Sequence, residues 1–146
     1  CIRDSTNVNC KEWNIFCDPE AARIVYSSGI NLYVVGLNVT MKVKLEKENR
    51  EKLKKVDGER FSLIYTMMEK WFKHYEFSIP VMHDPLAIST LFIDVCKFEK
   101  ENIFVGLEGA ERAVTLIDKR GLVINYAKEV DVDAFFKYFL STVFKI

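Results

Sequence analysis

The stretch Val81-Met82-His83-Asp84-Pro85-Leu86-Ala87-Ile88-Ser89 constrains this chain more than any other, because it sets a histidine and a carboxylate side by side where a helix begins. Aspartate is a preferred helix cap, proline fits the first turn where a missing N–H costs nothing, and Leu86, Ala87 and Ile88 carry an apolar helix onward. Taken alone, an Asp-Pro pair is ordinary capping chemistry. A second segment repeats the arrangement: Glu12-Trp13-Asn14-Ile15-Phe16-Cys17 runs into Asp18-Pro19-Glu20-Ala21-Ala22-Arg23-Ile24-Val25, and leads through Ser28-Gly29 to Val35-Gly36-Leu37-Asn38-Val39-Thr40.

Around these two helix starts the pattern alternates helix and strand. Residues 1–11 are polar and irregular, as in a loop. Asp18-Pro19-Glu20 opens a helix with Ala21, Ala22, Ile24 and Val25 facing inward and Gly29 stopping it. Ile30 to Val35, enriched in β-branched and aromatic residues and without a helical period, predicts a buried strand. Lys42 to Lys55 is dense in charge of both signs and predicts a solvated helix, broken at Asp57-Gly58. Glu59 to Tyr75 then predicts a longer helix, with Phe61, Ile64, Met67, Met68, Trp71, Phe72 and Tyr75 at spacings of three and four as a core or interface stripe. Short strands follow over Asn102 to Leu107, Arg112 to Asp118 and Leu122 to Tyr126, with Lys119-Arg120-Gly121 as a turn. Val130-Asp131-Val132-Asp133 caps a final helix from Ala134 to Phe144. The fold class is α/β.

Composition limits the partners. At 146 residues, with 49% hydrophobic and 13% aromatic residues, the chain can build the core of one domain. Lys and Arg number 21 against 21 Asp and Glu, so no net charge or polybasic face draws it to nucleic acid or anionic membrane. Its apolar runs are too short or interrupted to span a bilayer and no secretory pattern opens it, so a cytoplasmic location is expected. Cys1, Cys10, Cys17 and Cys96 form no C-x-x-C pair, and reduced, mostly buried thiols are expected, with a Cys10–Cys17 disulfide as the minor alternative.

Taken in order over residues 12 to 87, the Glu-Trp-Asn triplet, the Asp-Pro-Glu-Ala-Ala helix, Ser-Gly, the Gly-Leu-Asn-Val-Thr segment and the His-Asp-Pro-Leu-Ala helix start resemble the inosine-uridine-preferring nucleoside hydrolases. The resemblance implies the C-terminal portion of a mixed sheet flanked by helices, a single domain over residues 1–146, hydrolysis of a ribonucleoside to ribose and free base, a calcium cofactor, and self-association into a homo-oligomer. Members also carry an N-terminal Asp-x-Asp-x-x-x-Asp-Asp motif that holds the calcium and supplies the general base. That motif is absent here; the chain's Asp131-Val132-Asp133 reads as a helix cap. The expectation is therefore a C-terminal half without the calcium-binding part, inactive in isolation. The alternative is a noncatalytic remnant that binds nucleosides or serves in assembly, and a plain structural domain ranks third.

Cleaving an N-glycosidic bond develops positive charge on the ribose and negative charge on the departing base, so water must be activated on one side and the leaving group protonated on the other. By the resemblance, Asp84 is a calcium ligand that also approaches a ribose hydroxyl; a hard cation suits carboxylates and hydroxyls together. His83 matches the proton donor to the leaving base, imidazole being able to exchange protons near neutral pH. Its plain reading is a histidine filling a helix-start pocket. His83 also aligns the chain with members that accept pyrimidines or a broad range of bases. Glu12 and Asn14 match a ribose-binding pair, and Trp13 stands where the family usually has Phe, as an apolar wall. Asn7 matches an upstream ribose-binding Asn at a spacing one residue short. Trp71, His74 and Tyr75 belong to a helix that the resemblance puts beside the base. Asn38, where the family commonly has Asp, reads as a turn residue without a catalytic role.

Overall fold

A computed structural model describes residues 11–75 and 79–145. The chain divides into two compact units, residues 1–40 with 96–130 and residues 41–95 with 131–146.

The first unit is built on a sheet. The Glu12 backbone is extended and α1 (Trp13–Cys17) follows it; Asp18 then accepts a hydrogen bond from the Ala21 amide at 2.9 Å and starts α2 (Pro19–Tyr26), as the Asp-Pro pattern predicts. Of the partly buried apolar side chains of α2, Ala22 and Tyr26 pack against Ile15, Val105 and Ala113. Ile24 and Val25 are exposed, contrary to the inward face read from sequence. The helix ends at Tyr26, and Gly29 lies beyond it at a φ of +75°, where a side chain would be strained. The strand expected over Ile30 to Val35 shrinks to β1 (Tyr33–Val34), at the sheet edge, with Ile30 and Tyr33 exposed. A short helix, α3 (Leu37–Thr40), follows, so Asn38 is helical and not in a turn.

Three further strands complete the sheet: β2 (Cys96–Val105), β3 (Thr115–Ile117) and β4 (Leu122–Val130), in the order β1-β4-β2-β3. β1 is parallel to β4, and β2 runs antiparallel to both β4 and β3, so the sheet is mixed as expected. β2 begins six residues before the predicted strand, since it pairs along its length with β4 from Cys96↔Val130 to Ile103↔Leu122. The connection from β3 to β4 turns at Asp118 to Gly121, where Arg120 donates its backbone N–H to Asp118 Oδ1 at 2.8 Å. A Cβ on Gly121 would lie 2.0 Å from the Ile103 carbonyl oxygen, so only glycine lets this turn pass so close to β2. The guanidinium groups of Arg23 and Arg120 each lie over the Phe104 ring, at 3.7 and 4.1 Å from its centre.

The second unit is helical. Val43 and Leu45 are buried on an extended segment in which Lys44 bridges Val81, and α4 (Lys47–Lys54) begins only after it, five residues later than predicted. The alternation Lys42-Val43-Lys44-Leu45-Glu46 is the strand-like signal that the charge density concealed. Next comes α5 (Glu59–His74), in which no residue is buried: Phe61, Tyr65, Met68 and Phe72 lie on a half-buried side, while Ile64, Met67, Trp71 and Tyr75 are exposed. The apolar stripe is therefore not core. α6 (His83–Ser89) buries Leu86 and Ser89. Asp131 caps α7 (Val132–Phe139) through the Ala134 amide at 2.9 Å, and a π-helical turn over Leu140–Phe144 ends it. Phe135 is fully buried, its ring stacked on Phe139 at 5.5 Å.

Among the described residues no helix is long and apolar enough to cross a membrane. Cys17 is exposed, not buried, and like Cys96 is a free thiol; Cys1 and Cys10 lie outside the described residues.

Candidate functional site

Glu12, Trp13 and Asn14 stand at the start of α1 in the sheet unit. Glu12 is the residue before the first helical turn, yet its side chain does not cap α1. Instead Oε1 accepts the Leu37 backbone N–H at 2.8 Å, from the first residue of α3. Tyr26 is mostly buried beside it; burial first, and then the negative charge of Glu12, hold the Tyr26 hydroxyl protonated far above its ordinary range. Asn14 is exposed, and Trp13 is 73% exposed with its ring 6.0 Å from Phe16. An indole left this open is free surface on which a flat or apolar group can stack. Asn7 lies outside the described residues.

A second group of residues, which sequence reasoning missed, gathers near the Glu12 carboxylate. Tyr126, on β4, donates its hydroxyl to Asn38 Oδ1 at 2.5 Å, and Asn38 Nδ2 donates to the Ala127 carbonyl at 2.7 Å. Gly36 lies against this group: a Cβ there would fall 2.5 Å from Tyr126 Oη and 2.9 Å from both Asn38 Oδ1 and Glu12 Oε1. The sequence signal was the glycine itself, between Val35 and Leu37, where a strand passes into a helix.

His83 and Asp84 open α6 in the helical unit. The structure corrects the reading of Asp84 as a cap: the helix begins one residue earlier, Met82 occupies the cap position, and no side-chain cap bond forms. Asp84 is exposed in the first turn and His83 is half-buried. A carboxylate here is favoured by the helix dipole without being committed to the backbone. Trp71, His74 and Tyr75 gather at the end of α5, with ring centres 4.9 Å apart for Trp71–Tyr75 and 4.8 Å for His74–Tyr75.

Calcium takes six to eight oxygen ligands. Among the described residues no group of three or more His, Cys, Asp or Glu side chains is placed to hold a metal ion. Asp84 offers one carboxylate, and these residues do not by themselves fit a calcium ion.

The chain has the α/β fold of the nucleoside hydrolases, as its likeness to solved members shows. A plant nucleoside hydrolase superposes over 96% of this chain with a TM-score of 0.80 at 21% identity, and a purine-preferring ribonucleoside hydrolase from Gardnerella vaginalis over 92% with a TM-score of 0.80 at 27% identity. The chain belongs to the inosine-uridine preferring nucleoside hydrolase family, whose profile matches residues 2–137. It is 32% identical over 125 residues to a probable uridine nucleosidase 2 of Arabidopsis thaliana and 33% identical over 126 residues to a pyrimidine-specific ribonucleoside hydrolase RihA of Photobacterium profundum, matches that take in 82% and 78% of this chain. The chain spans 37% and 39% of those relatives' lengths, and 50% and 46% of the two solved chains.

Proposed function

We propose that this chain supplies the ribose-holding and leaving-group residues of a calcium-dependent ribonucleoside N-ribohydrolase, which converts a nucleoside and water to ribose and free base. The observation that carries this reading is the family match across residues 2–137, with Glu12-Trp13-Asn14 and His83-Asp84-Pro85 each at a helix start, as that family's chemistry needs. Uridine is proposed among the substrates, since both curated relatives named above bear names for pyrimidine nucleoside cleavage.

Glu12 and Asn14 orient the sugar. A carboxylate accepts from ribose hydroxyls and an amide both accepts and donates, so together they fix one face of the ring. His83 donates a proton to the departing base and so lowers the cost of expelling it. Asp84 would hold a ribose hydroxyl and offer one carboxylate to a calcium ion, which would supply a polarised water. Trp13, and on α5 Trp71, His74 and Tyr75, offer rings to the base or sugar. A cytoplasmic homo-oligomer is the proposed setting.

The second reading is a nucleoside-binding or assembly module without catalysis, favoured by the lack of a metal-holding group among the described residues. Base release from uridine and inosine, measured with calcium and with chelator on the protein in its catalytically competent form, separates the two. Calcium-dependent turnover supports the hydrolase; nucleoside binding with no turnover under any metal condition supports the module.

A further inference from the structure

A carboxylate that must meet a sugar hydroxyl has to be held in place before the sugar arrives, since a small misplacement costs much of the hydrogen bond. Glu12 is the last residue before α1 and its side chain would sweep freely if the helix alone held it. What holds it is distant in sequence. The Leu37 amide, 25 residues on, donates to Oε1, and the Asn38–Tyr126 pair, 88 residues apart, stands against the same point. Tyr126 is 3% exposed on β4, and Asn38 is tied at both ends, to the Tyr126 hydroxyl and the Ala127 carbonyl. The oxygens of Tyr126, Asn38 and Glu12 occupy the space that a Cβ on Gly36 would need.

We propose that Gly36, Asn38 and Tyr126 are positioning residues that fix the Glu12 carboxylate and thereby set how strongly a ribonucleoside is preferred over its deoxy analogue. This rests on the reading of Glu12 as a ribose ligand. A methyl group at Gly36 leaves no room for all three oxygens. Tyr126 is locked by its buried ring and Asn38 by two hydrogen bonds, so the end of the Glu12 side chain gives way. Removing the Tyr126 hydroxyl acts from the other side, since it frees Asn38 and relaxes the segment that carries the Leu37 amide.

Two measurements test this. In the 146-residue chain itself, the Leu37 amide proton is expected to shift in Gly36→Ala toward its position in Glu12→Ala. In the catalytically competent protein, kcat and KM are compared for a ribonucleoside and its 2′-deoxy and 3′-deoxy forms, in the wild type and in Glu12→Ala, Gly36→Ala and Tyr126→Phe. Glu12→Ala should abolish the preference for at least one hydroxyl. Gly36→Ala and Tyr126→Phe should each reduce that same preference about tenfold, the loss expected when one hydrogen bond to a charged group is weakened, mostly through KM and with little change on the deoxy substrate. Should both variants slow ribo- and deoxyribonucleosides alike, or leave the preference intact where Glu12→Ala destroys it, the positioning role is wrong. If Glu12→Ala leaves every preference unchanged, the reading of Glu12 as a ribose ligand falls, and this inference with it. Melting curves identify misfolding, and Tyr126→Phe, which keeps the buried ring, decides the matter should Gly36→Ala fail to fold.

Discussion

Asp84 provides the sharpest separation of structure from function in this chain. Asp18, Asp84 and Asp131 all stand at helix starts, and two of these do visible structural work: Asp18 and Asp131 each accept a backbone amide at 2.9 Å. Losing such a cap costs about 1 kcal/mol, within a range of roughly 0.5–2. Asp84 makes no cap bond, lies exposed inside the first turn of a helix of seven residues, and contributes only its charge to the helix dipole. Removing that charge should cost about 0.5 kcal/mol, at the lower part of the dipole range. For a chain of this size that is a melting shift of roughly 1–2 °C. If Asp84 also holds a ribose hydroxyl and a cation, Asp84→Asn removes stabilisation of charge in the transition state, and a loss of at least ~10² in kcat/KM is expected, or roughly 2.7 kcal/mol. Urea unfolding of Asp84→Asn beside Asp131→Ala gives the first figure, and base release from uridine and inosine in the catalytically competent protein gives the second. The reasoning is refuted if Asp84→Asn destabilises as much as Asp131→Ala and its activity falls no further than the folded fraction.

Three other outcomes follow. The 146-residue chain alone should release no measurable base from inosine or uridine, since its described residues assemble no metal site; robust calcium-dependent release by that purified chain would contradict this. Phe135→Ala, at a fully buried position, should cost about 3–5 kcal/mol in urea unfolding, and a loss under 1 kcal/mol would mean that the helical unit repacks freely. Burial raises the Cys96 thiol, so at pH 8 less of it is thiolate, and residue-resolved mass spectrometry should find exposed Cys17 alkylated well before Cys96, with the gap narrowing as pH rises toward the Cys96 value; equal rates at pH 8 would argue against that burial.

What could be read from the sequence depends on the range over which each feature is decided. The caps at Asp18 and Asp131 were legible because capping needs only the residue and an amide three positions on. The turn at Asp118 to Gly121 was legible for the same reason. By contrast, β1 keeps only Tyr33 and Val34 of the six residues predicted as a strand, because pairing with β4 lies some ninety residues away and covers only Asn125 and Tyr126. The apolar stripe of α5 has the spacing of a core face and is not buried. Periodicity identifies a face, and only the rest of the fold decides what covers it. At the candidate site, Glu12, Asn14, His83 and Asp84 could be named because their residue types at helix starts match a known pattern. Gly36, Asn38 and Tyr126 could not, since the Leu37–Glu12 and Tyr126–Asn38 hydrogen bonds that assemble this group span 25 and 88 residues. Asp84 was misread as a cap because Met82, an unusual residue for that position, takes it.

The central claim, that this chain brings a proton donor to the departing base, is tested most directly by His83→Ala in the catalytically competent protein, with kcat and KM measured for inosine, uridine and a riboside bearing an activated leaving group. The account predicts a fall in kcat of ~10² to ~10⁴ for the two natural nucleosides, a small effect on the activated riboside, which needs no proton to depart, and unchanged calcium affinity. An equal slowing of all three substrates, or calcium weakened as much as by Asp84→Ala, would contradict it.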